Sequence, residues 1–432
     1  MRRENLWRKR ILCTAVGVIC ATAVCGTSMV SAADEKTKVT IWTAATHPDL
    51  IQAYYDTHPD ANVEIEEVSF ATTDYVTKVQ QTVASGGELP DIMYMDMQWR
   101  MNIYNMGILD DLEGEPYNFD KSVLFENIIP VLTDADGTLV GLEEAITSGF
   151  LMYKKDLAEK YLGTSDRKEL EAMFQTWEDY AEIGERVYEE SDGTVTLFTG
   201  LQDVGNMMVM QKRNINNVDE DGNLNVSEKA EDIFSVLELL RGANACGKKT
   251  MWSTEWNNSF SDGSVIFIPG VTWMMNYFVE AYDPEGIDNW GMCTPVGGSY
   301  GWGGSSYGIC KDSKVKEEAW DYISWVCTSK EASVYNKELY TYFMPVKAFY
   351  DDPEYTKGTR PNFGSMEIYK YMMEEIAPNI PPASPSIYDS MLSDSVNMVS
   401  EAMSVDSSID SAAAVEEFIM DLQMRVGDVT VK

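Results

Sequence analysis

Residues 38–68 decide the fold, and they read KVTIWTAATHPDLIQAYYDTHPDANVEIEEV. Apolar and β-branched residues from Val39 to Trp42 indicate a short strand, and residues 49–57 show the apolar spacing of a helix. Apolar and charged residues then alternate over 63–68, as they do in a half-buried strand. A strand, a helix and a second strand in this order predict a parallel α/β unit.

Similar patterns continue towards the C-terminus. A helix predicted over residues 74–84 ends at Gly86-Gly87, and a strand is predicted over residues 90–95. An apolar segment over residues 150–153 leads into further helices, predicted over 155–161, 177–189, 228–245, 319–327 and 366–376. For the helix over 228–245, Ser227 is the expected N-cap and Gly247 lies just past the end. These patterns predict a chain of the α/β class.

Length and charge limit the classes of function. The chain has 432 residues, and its apolar fraction of 44% is too high for wholesale disorder. Because a single core stops growing at about 250–300 residues, we expect two domains, with three as an outside alternative. The formal charge of −37 predicts a protein that repels nucleic acid, whose binding depends on Lys and Arg contacts. Anionic ligands are disfavoured too, unless a local Arg overrides the overall charge.

The N-terminus has the order of an export signal. Basic residues stand at positions 2, 3, 8, 9 and 10, an apolar run covers residues 11–24, and small residues follow up to Ala33. The apolar run is shorter than the roughly 20 residues that a bilayer-spanning helix needs. We expect a signal peptide over residues 1–32 with cleavage after Ala32, or a lipid anchor through Cys25. Either way, the folded part is extracytoplasmic, secreted or attached to the outer face of the cell membrane.

The sequence alone does not decide whether two groups of residues form disulfides or bind calcium. Beyond the signal, four cysteines permit two disulfides, although buried free thiols are the preferred interpretation: Cys246, Cys293, Cys310 and Cys327. Residues 217–228 have nearly the ligand spacing of a calcium loop, with Asn217 in the first position. An acidic turn that leads into a capped helix explains the same residues. We therefore predict no metal site and no cofactor.

Short segments along the mature chain, taken in order, resemble the extracellular solute-binding protein family 1, which includes the maltose-binding protein. Each segment alone is weak evidence, but the ordered series covers nearly the whole mature chain. The segments are IW at 41–42, ASGGELPDI at 84–92, GILDDL at 107–112, GLE at 141–143, YKKDL at 153–157, TWED at 176–179, Phe260-x-x-Gly263, Gly270-x-x-Trp273, EAWDYI at 318–323 and PNIP at 378–381.

The resemblance implies a type II periplasmic-binding-protein fold, in which two lobes, each a mixed sheet flanked by helices, are joined by crossover segments. Lobe one would comprise residues 38–146 and 303–343, and lobe two residues 147–302 and 344–432, with crossings near Thr147, Gly303 and Met344. The resemblance also implies a receptor, not an enzyme, that captures a sugar or short oligosaccharide between the lobes. Such a receptor would act as a monomer and deliver its ligand to the membrane permease of an ATP-binding-cassette importer.

The aromatic candidates follow from the chemistry of a sugar. A sugar presents apolar C–H faces, which aromatic rings cover, and hydroxyl groups, which carboxylates, amides and backbone groups bind. The place of Trp273 in Gly270-x-x-Trp273 implies an indole against the ligand. Of Trp252 and Trp256, which are four residues apart, we favour Trp256 for the site. Each remaining aromatic candidate has a core or linker alternative: Trp42, Trp99, Trp302 and Tyr388.

The polar candidates stand after predicted strands and at the crossings. In relatives, the maltose binder has a charged pair where this chain has Gln98 and Trp99, so the identity of the sugar stays open. Thr46 and His47 likewise stand where it has an acid and a lysine. Each of the carboxylates is alternatively a solvated surface group. The full polar set is Thr46, His47, Asp96, Gln98, Glu143, Glu144, Thr147, Asp203 and Gly303.

Two other classes of function compete with a sugar receptor. A cationic amine or polyamine suits the acidic charge and would fit an aromatic cage. A secreted glycosidase needs two carboxylates across the scissile bond, but no sequence signature selects such a pair. The chain contains two histidines, His47 and His58, and no His-Glu-x-x-His site occurs in it. Catalysis is therefore the remote alternative.

Overall fold

The structure is a computed structural model that describes residues 36–213 and 217–432. The expected export signal, the cleavage after Ala32 and the lipid anchor through Cys25 lie outside the described residues. Within the described ranges, no helix is both long enough and apolar enough to cross a bilayer.

Strands of the described chain form two sheets. In chain order, the strands are β1 (Thr37–Thr43), β2 (Val63–Ser69), β3 (Ile92–Asp96), β4 (Leu142–Glu143), β5 (Ser148–Lys154), β6 (Phe267–Val271), β7 (Trp290–Cys293), β8 (Tyr300–Gly301) and β9 (Ser305–Ile309).

Helices surround both sheets. In chain order, they are α1 (Pro48–Thr57), α2 (Thr72–Ser85), α3 (Arg100–Tyr104), α4 (Lys155–Leu162), α5 (Arg167–Met173), α6 (Trp177–Glu190), α7 (Leu201–Gln211), α8 (Ser227–Gly242), α9 (Thr254–Asn258), α10 (Glu280–Tyr282), α11 (Lys316–Thr328), α12 (Lys330–Tyr340), α13 (Ile368–Tyr371), α14 (Asp389–Val405) and α15 (Ser411–Val426).

The first sheet has the order β2-β1-β3-β9-β4. β1 is parallel to both β2 and β3, as the strand–helix–strand pattern of residues 38–68 predicts. Val39 and Ile41 of β1 and Leu50 and Tyr54 of α1 are buried in one core, which explains why apolar residues recur at these spacings. β9 returns from a distant part of the chain and pairs antiparallel with β3 and β4.

The second sheet has the order β6-β5-β7, and β8 also pairs with β5. Every residue of β5 is buried, because the strand lies between neighbours and is covered on both faces. This accounts for its unbroken apolar run, since a strand that is buried on both faces does not alternate.

The chain passes from one sheet to the other through two short segments. Residues 144–147 connect β4 of the first sheet to β5 of the second, and residues 302–304 connect β8 of the second sheet to β9 of the first. Both segments therefore lie side by side between the sheets. The lobe boundaries given above, including the third crossing near Met344, stay a prediction.

Two helix predictions are wrong in detail. Helix α8 begins at Ser227, so Val226 holds the N-cap position, and no side chain caps the helix. The helix ends at Gly242, because Asn244 adopts a φ of +53° that a helix does not continue through. The segment predicted as one helix over 366–376 is α13 followed by a π-helical turn, Met372–Ile376.

The structure shows the state of the four cysteines and the contacts within the segment that has calcium-loop spacing. The four cysteines beyond the predicted signal are free and buried: Cys246, Cys293, Cys310 and Cys327. In the segment with calcium-loop spacing, Asp219 accepts hydrogen bonds from the backbone of Asp221 and Asn223 and from the side chain of Asn225. Asp219 thus closes a turn before α8. Within the described residues, no three His, Cys, Asp or Glu side chains converge as metal ligands.

Candidate functional site

A cavity of about 330 Å³ lies where the two crossing segments meet the ends of β1, β3 and β6. This volume lies within the roughly 300–1,000 Å³ that small-molecule sites occupy. Ligand sites of α/β proteins form at the carboxyl ends of strands, and three of the contributing segments follow strand ends. The lining residues are Ala45, His47, Tyr94, Asp96, Met97, Gln98, Glu144, Ala145, Thr147, Trp252, Trp273, Tyr277, Trp302, Gly303, Gly304, Ser305 and Tyr342.

Three indoles form one wall of the cavity. The ring centroids of Trp252, Trp273 and Trp302 are 5.8–6.2 Å apart in every pair. Trp252 lies nearly parallel to Trp273, with 28° between the ring planes. Trp273 Nε1 donates to the carbonyl oxygen of Trp302 at 3.2 Å, which fixes the ring that follows β6 against the crossing segment. We call these three residues the indole wall.

Glycines in the crossing segment allow the indole wall to pack. Gly303 has a φ of +91° and Gly304 a φ of +92°, a region that L-residues rarely adopt. A Cβ on Gly303 would lie 2.7 Å from Trp273 Nε1, and one on Gly304 would overlap the carboxylate of Glu143. The backbone therefore approaches the indole and the carboxylate more closely than any side chain permits.

Trp252, which lines the cavity, has an unusual backbone conformation. Its φ is +68°, which is a genuine outlier for a bulky residue, and its side chain is 44% exposed. The turn is held on both sides, because the backbone of Met251 donates to Gln202 Oε1 at 2.8 Å and Ser253 caps α9. Strained backbone that the surroundings enforce is found most often at functional sites.

The cavity lining also includes a buried carboxylate. Glu144 accepts hydrogen bonds from Tyr94 at 2.5 Å and from Tyr307 at 3.2 Å, and it is almost completely buried. Burial raises the pKa of Glu144 to about 7, although the two phenol donors counteract part of that rise. At neutral pH this carboxyl is therefore partly protonated and donates or accepts.

His47 and Asp96 complete the titratable groups on the cavity. The imidazole of His47 packs edge-on against Tyr94 and Tyr340, with ring centroids at 5.1 and 5.5 Å. Burial lowers the pKa of His47, so the ring is neutral at neutral pH. Asp96 ends β3, accepts from the backbone of Gln98 at 2.9 Å, and has its pKa raised by burial. Among the described lining residues, none is Lys or Arg.

A family model for bacterial extracellular solute-binding proteins matches residues 49–361 of this chain. The chain belongs to this family.

Two relatives of this solute-binding protein have curated names. The arabinooligosaccharide-binding protein of Halalkalibacterium halodurans is 21% identical over 365 residues, which cover 79% of this chain and 77% of the relative. The lactose-binding protein of Rhizobium radiobacter is 24% identical over 352 residues, 76% of each chain.

Solved structures show that the fold is shared. A protein described as extracellular solute-binding protein family 1 superposes with a TM-score of 0.76 at 20% identity and covers 90% of this chain and 100% of its own. The galacto-N-biose-/lacto-N-biose I-binding protein of Bifidobacterium longum has a TM-score of 0.71 at 16% identity, with 92% and 99% covered. This solute-binding protein therefore has the two-lobed type II fold, with one sheet in each lobe.

The structure of the solute-binding protein brings part of the predicted set to the cavity and separates the rest from it. The residues at the cavity are His47, Asp96, Gln98, Glu144, Thr147, Trp273, Trp302 and Gly303. Their contact with a ligand stays a prediction. The predicted residues outside the cavity are Trp42, Thr46, Trp99, Glu143, Asp203, Trp256 and Tyr388.

Buried partners explain why several predicted residues do not reach the cavity. Trp256 is completely buried and donates to Asp203 at 2.7 Å, so these two residues satisfy each other in the core. Glu143 faces Arg100, 3.4 Å from its guanidinium, and both groups are buried behind the crossing segment. Trp99 stacks on Tyr75 with ring centroids 4.3 Å apart and is 6% exposed.

The other three residues lie on different surfaces. Trp42 packs edge-on against Phe70 and lines a separate groove that runs along β1. Thr46 is exposed beside the cavity loop but does not line it. Tyr388 precedes α14 and packs partly buried against the core.

Sequence reasoning did not select Trp252, Tyr277 or Tyr342, which the structure places on the cavity. The available signal was the pair Trp252 and Trp256, from which the prediction favoured the other member. No local pattern distinguishes the two, because the partner that buries Trp256 is Asp203, far away in sequence.

Proposed function

We propose that this protein is an extracytoplasmic receptor that captures a sugar or short oligosaccharide between its lobes. The indole wall is the single observation that carries the proposal, because it offers flat apolar surfaces on one side of a cavity. Hydroxyl, amide and carboxyl groups line the same cavity, including those of Tyr94, Gln98 and Glu144. A sugar has the matching pair of surfaces, an apolar C–H face and a rim of hydroxyl groups.

The absence of cationic side chains among the described lining residues favours an uncharged ligand over an anionic one. The named relatives bind an arabinooligosaccharide and lactose, and a structural neighbour binds lacto-N-biose, which supports the same class of ligand. Delivery to the permease of an ATP-binding-cassette importer is part of this proposal. So are the monomeric state, the lipid anchor through Cys25 as an alternative to release, and the lack of catalysis.

An amine or polyamine is the second candidate, because Asp96 and Glu144 are acidic and indoles attract cations. Against it, Glu144 already accepts two phenol hydrogen bonds, and burial raises its pKa to about 7, which weakens its negative charge. A cation would find one fully charged carboxylate at most. The sugar therefore remains the better match.

Thermal unfolding of the mature protein tests the proposal against lactose, arabinotriose and spermidine. A ligand at 100 times its Kd adds about 2.7 kcal/mol to the free energy of unfolding. For lobes of this size, each kcal/mol raises Tm by about 2–4 °C. We expect a rise of several degrees with at least one saccharide and none with spermidine. A rise with spermidine alone would establish the amine candidate instead.

Trp273→Ala should abolish the saccharide effect, because it removes one ring of the indole wall together with its hydrogen bond to Trp302. Trp177→Ala is the matched control, since Trp177 packs against Tyr180 at the start of α6 and does not line the cavity. Both variants lose an indole from a partly buried position. Equal loss of the saccharide effect in both variants would contradict the site.

A further inference from the structure

Two tyrosines reach the cavity from elements that pack on different sheets. Tyr277 belongs to a π-helical turn, Met275–Val279, that follows β6 of the second sheet. Tyr342 follows the end of α12, a helix that packs against α1 and α11 on the first sheet. Each phenol group affects the pKa of the other, which places the two side chains close together. Together they close one side of the cavity.

Arg360 binds both segments without lining the cavity. On the α12 side, Nη2 donates to Thr341 Oγ1 at 2.5 Å and lies 3.3 Å from the carbonyl oxygens of both Lys337 and Glu338. On the other side, Nη2 is 3.4 Å from Asn276 Oδ1 and Nη1 is 3.5 Å from Glu280 Oε1. One guanidinium thus connects the last turn of α12 to the π-helical turn and α10.

Direct contacts between the two segments complete this junction. Thr341 donates its hydroxyl hydrogen to Asn276 Oδ1, and Asn276 Nδ2 donates to the carbonyl oxygen of Leu339 at 3.0 Å. Thr341 is fully buried and has a φ of +59°, which is an outlier for a β-branched residue. Such a conformation persists only where surrounding contacts enforce it, and Arg360 and Asn276 supply those contacts.

We propose that Arg360 is a positioning residue for ligand binding, an inference that rests on the proposed function. Each cavity tyrosine directly follows a junction residue, Tyr277 after Asn276 and Tyr342 after Thr341. When the guanidinium is removed, both backbone segments lose their common partner. Only the direct hydrogen bonds of Asn276 then join the segments, so the separation of the two phenol groups is less firmly fixed, although no atom that faces the ligand has changed.

Calorimetric titration of lactose and arabinotriose into Arg360→Met and Arg360→Lys tests the proposal. We expect Arg360→Met to weaken binding about tenfold or more, which corresponds to about 1.4 kcal/mol. Arg360→Lys should restore part of the affinity, because an ammonium group reaches one acceptor but lacks the planar fork of a guanidinium.

Arg241→Met is the matched control. Arg241 also donates to two carbonyl oxygens at a helix end, those of Met403 at 2.9 Å and Asp406 at 3.2 Å, and it does not line the cavity. Its loss should lower Tm and leave Kd unchanged. If Arg360→Met also lowers Tm and leaves Kd unchanged, Arg360 is merely structural and the proposal is overturned.

Hydrogen exchange of the ligand-free protein separates this inference from the proposed function. We expect residues 273–280 and 337–342 to exchange faster together in Arg360→Met and not in Arg241→Met. Unchanged exchange in these segments would overturn the junction. If neither saccharide binds the wild-type protein, the proposed function fails, and the exchange result alone decides whether Arg360 orders the two segments.

Discussion

Replacing Trp252 by Gly and by Ala separates the strain at this residue from its role at the cavity. Both variants remove the indole, but only Gly relaxes at the φ of +68° that the turn imposes. The left-handed conformation costs an L-residue about 1–2 kcal/mol. The greater chain entropy of Gly offsets about 0.5–1 kcal/mol of that gain. Trp252→Gly should therefore be more stable than Trp252→Ala by about 1 kcal/mol, or about 2–4 °C in Tm.

The exposed fraction of the indole sets the effect on binding. Trp252 is 44% exposed, so a little under half of its surface is free to contact a ligand. With about 250 Å² for a tryptophan and about 25 cal/mol per Å², the free part supports at most about 2.8 kcal/mol of binding, or about a hundredfold in Kd. The buried part accounts for roughly 3.5 kcal/mol of packing, so both variants should be less stable than the wild-type protein.

Calorimetric titration of the two variants measures their saccharide affinity, and chemical unfolding measures their stability. We expect equal losses of saccharide affinity and unequal losses of stability. Equal stabilities would show that the backbone of Trp252 is not strained. Affinity that survives in both variants would show that its indole does not touch the ligand, and the indole wall would then reduce to two rings.

Two further predictions concern the crossing segments. Gly303→Ala should weaken saccharide binding, because the added Cβ would lie 2.7 Å from Trp273 Nε1. Gly298→Ala is the control, because Gly298 has the same φ of +91° but no atom within 4 Å of the added Cβ. Calorimetric titration should therefore find the affinity of Gly298→Ala unchanged. Burial raises the pKa of Glu144 from 4.5 to about 7, so the folded state binds more protons between these values and the free energy of unfolding should fall as pH rises through them. Chemical unfolding from about pH 5 to about pH 8 should show a shallower fall in Glu144→Gln, and an identical slope in both proteins would contradict the assigned pKa.

The opening α/β unit was predictable because its burial is local. In β1 and α1, residues that face one core recur at the spacings of a strand and a helix, so the sequence pattern alone predicts both elements. Helix α7 lacked such a signal: ten of its eleven residues, all but Gln211, are buried. A helix that is buried all round has no polar face and therefore no period to detect.

The candidate site was predictable where it depends on motifs and not where it depends on partners from distant segments. Trp273 follows a glycine spacing that the family resemblance identifies, and the structure places it on the cavity. Trp99 is predicted from its alignment with a charged pair of the maltose binder, but in the structure Tyr75 covers its ring. Only the assembled fold decides whether an indole faces a cavity or another ring.

The close spacing of the indole wall has an optical consequence. Rings whose centroids are within 6.2 Å of one another couple their electronic transitions, so their circular dichroism in the near ultraviolet depends on mutual orientation. A small rotation of one ring changes the whole band. If a ligand rotates one of these rings, we expect its binding to change the near-ultraviolet circular dichroism without a dye or label.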